Sequence, residues 1–224
     1  MNISVAIDGP SGAGKSTMAR AAAKELGLIY VDTGAIYRTV GVAASRAGIA
    51  LEDVSGVVPM LPQLKIEMAY DDMGVQRMYL NGEDVSEAIR QPHISMYASA
   101  VSALPPVRAF LMDMQRNMAK TNDVIMDGRD IGTVVLPDAP LKVFLTASSE
   151  ERARRRHLEL QLKGDTSTYE EVLQDMIQRD HNDSSRAAAP LKQADDAILL
   201  DTSDLNFEEA KAALIKLIKE RFAI

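Results

Sequence analysis

The chain has 224 residues, 46% of them hydrophobic and 25% charged, which is the balance of a globular protein with one main domain. Its formal net charge of −7 argues against broad nucleic-acid binding through the phosphate backbone, and the lack of cysteine excludes a disulfide framework and a thiolate metal site. No apolar run reaches the ~18 residues of a membrane span, and the N-terminus lacks the basic region of a signal peptide, so we expect a cytoplasmic protein with no membrane partner. We also expect a monomer with no nucleic-acid partner.

Short apolar runs alternate with helical patterns in the N-terminal part of the chain. Ile3–Ile7 predicts a buried strand, and the alanine-rich segment Lys15–Leu26 predicts a helix. Leu28–Val31 predicts a second strand, and Ala35–Ala47 predicts a second helix. This alternation is typical of a parallel sheet with crossover helices.

The pattern changes in the middle of the chain. Leu64–Tyr70 and Gln76–Leu80 are predicted as two strands, and the turn-rich segment 71–74 joins them. An antiparallel pair of this kind inside an α/β chain indicates an insertion, which we place at about residues 62–94.

Three further apolar runs and four helical patterns complete the alternation. The strands are predicted at Val124–Met126, Leu141–Leu145 and Ala197–Leu200. The helices are predicted from Pro105 to about Lys120, over Glu150–Lys163, after a capping box of Ser167 and Glu170, and after a second one of Asn206 and Glu209. Five buried strands result, and ligands bind such sheets at the carboxyl ends of the strands, where Asp8, Asp32 and Asp127 stand.

Residues 9–16 match the phosphate-binding pattern G-x-x-x-x-G-K-[ST], with a predicted strand before the motif and a helix after it. The glycines let backbone N–H groups point at a phosphate, and the helix N-terminus adds its positive end. We expect Lys15 to reach the β- and γ-phosphates and the Ser16 hydroxyl to bind Mg²⁺. The alternative, an accidental glycine-rich turn, is disfavoured by both flanks. The predicted nucleotide-binding residues are Gly9, Pro10, Ser11, Gly12, Ala13, Gly14, Lys15, Ser16 and Thr17.

Arginines outside this loop favour a small-molecule kinase over a GTPase or a motor ATPase. Such a kinase must hold a second anionic substrate, neutralise the moving phosphoryl group and exclude water. Arg38 follows the second strand, and Arg129 follows the third. A basic helix adds Arg152, Arg154, Arg155 and Arg156.

Four adjacent arginines cannot share one face of a helix with about 3.6 residues per turn, so only a subset can reach phosphate. The alternative is a solvated face whose arginines pair with neighbouring glutamates. Arg179, Asp183 and Arg186 have the spacing of one helix face, for which a surface ion-pair ladder is the alternative. A GTP-dependent switch would need an N-K-x-D signature, and the sequence has none.

Four more motifs stand beside the loop motif of residues 7–17, at 32–38, 127–135, 148–156 and 186–191. Together they resemble the bacterial cytidylate kinase family, within the nucleoside monophosphate kinase superfamily of P-loop kinases. The resemblance implies a three-layer α/β P-loop fold with a five-stranded parallel sheet. It also implies a kinase core of residues 1–61 and 95–224, a small antiparallel monophosphate-binding insert at 62–94 and a mobile lid at about 148–186.

The resemblance implies transfer of the γ-phosphate of ATP to CMP or dCMP with Mg²⁺, and it implies a role for each matching residue. Arg38 and Arg129 resemble ligands of the acceptor phosphate, with the Thr33 hydroxyl at a position where some members carry serine. Ser99, Arg108 and Asp130 resemble cytosine readers, and Arg179 and Asp183 resemble sugar contacts. Arg186 resembles a further ligand near the sugar and the phosphate of the acceptor. The implied catalytic side chains are Lys15, Arg129, Arg186, Arg152 and Arg156, the last two as lid contacts to ATP phosphates. Asp127 is expected to orient Mg²⁺-bound water.

Base selection is the role that chemistry supports for Asp130. A carboxylate accepts a hydrogen bond from the N4 amine of cytosine, whereas it would face a second acceptor at O4 of uracil. A site built on such a bond can reject the wrong base by about 10⁴–10⁵-fold. The alternatives are a structural or Mg²⁺-shell carboxylate at this position, and another acceptor such as UMP, AMP or shikimate.

Overall fold

Eight strands and seven α-helices are present in the computed structural model, which describes residues 2–162 and 164–224. The strands are β1 (Ser4–Asp8), β2 (Ile29–Asp32), β3 (Ile66–Tyr70), β4 (Gln76–Leu80), β5 (Glu83–Asp84), β6 (Val124–Asp127), β7 (Leu141–Thr146) and β8 (Ile198–Asp201). The helices are α1 (Lys15–Leu26), α2 (Thr33–Arg46), α3 (Pro92–Ser102), α4 (Pro105–Thr121), α5 (Ser149–Leu162), α6 (Tyr169–Ser185) and α7 (Phe207–Phe222).

A five-stranded sheet with the order β2-β6-β1-β7-β8 confirms the predicted α/β class. Strand β1 runs parallel to both β6 and β7, with Ile7 opposite Asp127 on one side and Val143 on the other. All four residues of β6 are buried. Such continuous burial is typical of a parallel strand that is covered on both faces.

A separate antiparallel sheet, β3-β4-β5, confirms the predicted hairpin. Asp71 shapes its first turn, because its carboxylate accepts hydrogen bonds from the backbone N–H groups of Met73 and Val75. Asn81 and Gly82 both have positive φ, as a two-residue hairpin turn requires. Strand β5 was not predicted, because it has only two residues and both are exposed.

The chain divides into two units, one from the described residues of Met1–Tyr30 and Asn122–Ile224, the other from Val31–Thr121. The core of the first unit contains residues of β1, β7 and α7, such as Ile7, Leu145 and Leu214. The core of the second contains residues of α2, β4 and α4, such as Met78 and Leu111. Each unit therefore buries its own apolar cluster.

Strand β8 was predicted to be buried, and this prediction is wrong. Ile198 is 43% exposed and Leu199 is 55% exposed. The reason is position, since β8 is the last strand of the sheet and pairs on one side only, with β7. An apolar run alone cannot tell an edge strand from a central one.

The capping box of α6 lies one residue later than predicted. The Thr168 hydroxyl accepts a hydrogen bond from the Glu171 N–H, and the Glu171 carboxylate accepts one from the Thr168 N–H. Ser167 is instead bound to Asp165, to which both its N–H and its hydroxyl donate. The capping box at Asn206 and Glu209 is confirmed.

Helix α3 was not predicted, and the predicted end of α5 at Lys163 lies outside the described residues. Among those residues, no helix combines the length and the apolar character needed to cross a membrane.

Candidate active site

The loop between β1 and α1 has a backbone that excludes side chains at several positions. Gly9, Gly12 and Gly14 all have positive φ, which residues with a β-carbon rarely adopt. A β-carbon at Gly9 would also overlap the carbonyl group of Leu145. Gly14 directly precedes α1, so the free N–H groups at the start of that helix face the loop. The geometry suits an anion held by backbone N–H groups.

Lys15 is a buried cation at the start of α1, with only 5% of its surface exposed. Its Nζ donates a hydrogen bond to the carbonyl oxygen of Pro10 at 2.7 Å. Burial, followed by the positive charge of Arg129, holds the pKa of Lys15 well below its usual value, and Asp127 and Asp8 act in the opposite direction. An anion bound in the loop would stabilise the charged form of Lys15.

The two predicted metal-binding residues lie in direct contact. The Ser16 hydroxyl donates to Oδ2 of Asp127 at 2.7 Å, and the Tyr30 hydroxyl donates to Oδ1 at 2.9 Å. Oxygen ligands of this kind suit Mg²⁺, which keeps several waters and takes only one or two protein groups beside phosphate. Within residues 2–162 and 164–224, no group of three or more histidine, aspartate or glutamate side chains could hold a metal ion by itself. The pair therefore fits an ion whose coordination is completed by water and phosphate.

Two ion pairs follow β6 and join predicted acceptor ligands to one another. Arg129 Nε donates to Oδ2 of Asp183 at 2.8 Å. Asp130 Oδ1 lies 3.5 Å from Arg186 Nη2, and both side chains are largely buried. In each pair a predicted phosphate ligand contacts a predicted sugar or base ligand. A bound nucleotide would replace these contacts with its own.

Helix α6 does not carry all three residues that the spacing placed on one face. Asp183 lies within α6, as does Arg179, whose charge contributes to the low pKa of Lys15. Arg186 instead follows the last helical residue, with an extended backbone (φ −62°, ψ 139°). The single-face prediction is wrong for Arg186, because a constant helical period does not reveal where a helix ends.

The arginines of α5 separate into one buried side chain and three that pair with glutamates of the same helix. Arg154 and Arg155 bind Glu151, which lowers the pKa of that carboxyl to about 2, and Arg156 pairs with Glu159 at 2.8 Å. Arg154 and Arg156 match the predicted solvated-face alternative, whereas Arg155 is half-buried and also donates to the carbonyl oxygen of Thr202 at 2.7 Å.

Arg152 differs from the other arginines of α5, because it contacts the phosphate-binding loop. Its Nη1 donates to the carbonyl oxygen of Ser11 at 2.9 Å and lies 2.7 Å from Oδ2 of Asp180. Its Nε donates to the carbonyl oxygen of Ala147. Arg152 thus joins the loop to α6, and the predicted lid contacts of Arg152 and Arg156 with ATP stay predictions.

In the second unit, Asp32 organises a cationic cluster at the start of α2. Its carboxylate accepts the N–H of Ala35 at 2.9 Å, which caps the helix. The same carboxylate lies 2.9 Å from Arg38 and 3.5 Å from Arg90. Thr33, the first residue of α2, is buried. Arg90 was not predicted as a site residue, because it belongs to none of the motifs and lies in the predicted insert of residues 62–94.

The predicted base readers Ser99 and Arg108 are linked within the second unit through Ser102. The Ser102 hydroxyl donates to the carbonyl oxygen of Ser99 at 2.8 Å, and Arg108 Nη1 donates to the carbonyl oxygen of Ser102 at 3.4 Å. Arg108 is buried, and its guanidinium carbon lies 5.7 Å from the centre of the Tyr37 ring. A planar cation stacked on an aromatic ring is well oriented for recognition by hydrogen bonds.

Comparisons with known proteins agree with this geometry. A family model described as cytidylate kinase matches residues 5–220. A cytidylate kinase from Geobacter sp. (strain M21) is 50% identical over 219 residues, covering 98% of this chain and 94% of the relative. One from Carboxydothermus hydrogenoformans is 50% identical over 214 residues, covering 96% of each chain. A crystal structure of shikimate kinase from Bacteroides thetaiotaomicron covers 99% of both chains with a TM-score of 0.50 and 14% identity, a likeness of fold alone.

Proposed function

The chain belongs to the cytidylate kinase family, and we propose that it transfers the γ-phosphate of ATP to CMP or dCMP, giving ADP and CDP or dCDP. The observation that carries the proposal is the phosphate-binding loop with its buried Lys15, in the same unit as the buried carboxylate of Asp130. The loop suits a triphosphate donor, and the carboxylate suits the amine of cytosine. The alternative is a P-loop kinase for another small acceptor such as UMP, AMP or shikimate; UMP presents an acceptor at O4 and could not bind that carboxylate in this way.

The donor triphosphate is held by backbone N–H groups between Ser11 and Thr17 and by Lys15. The hydrogen bond from Lys15 to the Pro10 carbonyl is replaced by bonds to the β- and γ-phosphates. The carbonyl oxygen of Ser11 accepts a hydrogen bond from Arg152, so this carbonyl faces the guanidinium and not the phosphate. In this role Arg152 supports the loop that binds the donor.

The Ser16 hydroxyl would hold Mg²⁺ directly, and Asp127 would hold one of its waters. The ion, when bound, supplies positive charge to the β- and γ-phosphates. The protein itself fixes the positions of the Ser16 hydroxyl and the Asp127 carboxylate. The Tyr30 hydroxyl keeps that carboxylate in place by donating a hydrogen bond to it.

The acceptor needs no general base from the protein. Its phosphate oxygen is already largely ionised near neutral pH, because the second pKa of a phosphate monoester is about 6. This oxygen attacks the γ-phosphorus in line, and the arginines neutralise the charge on the transferred group. Arg38 and Arg129 are assigned to the acceptor phosphate, Arg179 and Asp183 to the sugar, and Arg186 to both. Arg90 joins the phosphate ligands, because it shares Asp32 with Arg38.

Water is excluded by a lid that we assign to about residues 148–186, which include α5 and α6. The two helices share a small apolar cluster of Ala153, Val172 and Met176. A β-carbon at Gly12 would overlap the methyl group of Met176, so α6 packs closely on the phosphate-binding loop. Residues 62–94, which include the antiparallel sheet, are assigned as the monophosphate-binding insert of a core formed by 1–61 and 95–224.

Replacing Ser16 with alanine is expected to raise the Mg²⁺ concentration for half-maximal velocity by ~10-fold or more, because an oxygen ligand is lost. Ser16→Thr is the matched control, since it keeps the hydroxyl that the motif requires. Initial rates over a Mg²⁺ titration measure the effect. An unchanged Mg²⁺ requirement in Ser16→Ala would remove Ser16 from the metal site.

An acceptor panel tests the proposed function. CMP, dCMP, UMP, AMP and shikimate are each incubated with ATP, with and without Mg²⁺, and ADP release is followed in a coupled assay. We expect turnover with CMP and dCMP that depends on Mg²⁺, and much weaker turnover with UMP. A purified, folded protein that does not convert CMP to CDP would overturn the proposal.

A further inference from the structure

Asp8 ends β1 immediately before the phosphate-binding pattern of residues 9–16, and none of the predicted roles uses its side chain. Its carboxylate is buried, with 5% of the residue exposed. Oδ1 accepts a hydrogen bond from the N–H of Ile131, and Oδ2 accepts one from the N–H of Gly132, each at 2.7 Å. Both oxygens are thus bound to the segment that directly follows Asp130.

The two N–H groups belong to the first turn of a short π-helix, Ile131–Val135. The N–H groups at the start of a helix have no partner inside it, and usually the preceding residue caps them with its side chain. Here the preceding residue is Asp130, and its side chain makes no capping bond. Asp8 caps the turn in its place, so the carboxylate of Asp130 stays directed at Arg186.

On the basis of the proposed function, we propose that Asp8 is a positioning residue for acceptor recognition. By holding the backbone of Ile131 and Gly132, it fixes the direction in which Asp130 presents its carboxylate to the acceptor base. It also ties the start of the donor-binding loop to the acceptor-reading segment, since Asp8 and Gly9 are adjacent in the chain.

Space around Gly132 provides independent support for this role. A β-carbon at Gly132 would lie 3.3 Å from Oδ2 of Asp8 and 3.1 Å from Cδ of Lys142. The φ of Gly132 is not among the positive values, so backbone conformation does not require a glycine there. The close approach of the Asp8 carboxylate and the Lys142 side chain instead leaves little room for a β-carbon at this position.

The two N–H groups explain why the residue at this position is a carboxylate. Burial raises the pKa of Asp8 to about 6, although the N–H groups of Gly132 and Ile131 act in the opposite direction. A buried carboxylate is costly unless hydrogen bonds replace its hydration, and these two bonds do so. Here each N–H group is bound by its own carboxylate oxygen, and asparagine has only one such oxygen.

The test compares wild type with Asp8→Asn, with Gly132→Ala as a second variant and Asp138→Asn, an exposed aspartate of the same unit, as control. In Asp8→Asn we expect the KM for CMP to rise by about 10-fold and the preference for CMP over UMP to fall by a similar factor, because a small misplacement of a binding group has effects of this size. The KM for ATP should change little, whereas the melting temperature should fall, because the asparagine amide group leaves one buried N–H group without an acceptor. Gly132→Ala should lower the same preference, and Asp138→Asn should leave it unchanged.

Different outcomes separate this inference from the proposed function. If wild type does not prefer CMP, the proposed function fails and the inference falls with it. If wild type prefers CMP and both variants keep that preference, only the inference is wrong. Equal increases in the KM for ATP and for CMP would also contradict it, because they would show that Asp8 supports the fold in general. Should Asp8→Asn not fold, the base preference of Gly132→Ala decides.

Discussion

Lys15→Met is expected to abolish phosphoryl transfer, with kcat at least ~10³-fold lower than in wild type, since a buried cation directed at the transferred group is lost. Methionine keeps the length and the apolar stem of the side chain. Because burial holds the pKa of Lys15 well below its usual value, the ionised lysine is itself unfavourable in the fold. The melting temperature should therefore not fall. ADP release with CMP as acceptor measures the activity.

The matched control for this substitution is Lys24→Met, in the last turn of the same helix. Lys24 is exposed, so its replacement should leave kcat unchanged. Near-normal turnover in Lys15→Met would show that Lys15 does not act on the phosphates. A loss in both variants would point to a defect in α1.

The second large effect is expected for Asp130→Ala, in the choice of base. We expect kcat/KM for CMP to fall by about 10⁴-fold, with UMP much less affected, because the carboxylate accepts a bond that cytosine donates and uracil does not. The ratio of CMP to UMP turnover measures this effect, and it does not depend on the fraction of active protein. An equal loss with both acceptors would favour a structural or Mg²⁺-shell carboxylate.

Asp130→Ala also leaves Arg186 without the carboxylate that lies 3.5 Å from it. Removing one member of a buried ion pair is destabilising, so the melting temperature is needed beside the kinetics. Asp130→Asn is the companion variant, since it keeps the shape of the side chain and removes the charge. If the base preference falls in both variants while the asparagine variant keeps its melting temperature, the loss comes from recognition.

Most elements of the fold could be predicted from the sequence, because their signals are local. Helix α1 has the predicted bounds, and β4 does too. The errors arose where partners that the periodic pattern does not show decide the outcome, whether distant, as for β8, or two positions away, as for Ser167. Strand β8 is exposed because nothing pairs with its outer edge in the described sheet, and Ser167 lost the cap of α6 because Asp165 binds it. Neither fact can be read from apolar periodicity.

The candidate site shows the same division between local and distant signals. The loop of residues 9–17 could be recognised directly, because phosphate binding there depends on glycines, a lysine and a hydroxyl in consecutive positions. The resemblance supplied further residues, but no motif indicated Arg90 or a role for Asp8. Their contacts, to Asp32 and to residues after Asp130, join distant parts of the chain.

The sequence by itself determined the α/β class, the phosphate-binding loop and the family resemblance, because each depends on residue types at short, regular spacings. Only the tertiary structure decided which charged side chains pair with one another. Arg129 meets Asp183 across 54 positions, and Asp8 meets Gly132 across 124. The physical reason is that a charge or a backbone N–H group accepts any suitable partner within reach, and only the folded chain determines which partners are within reach.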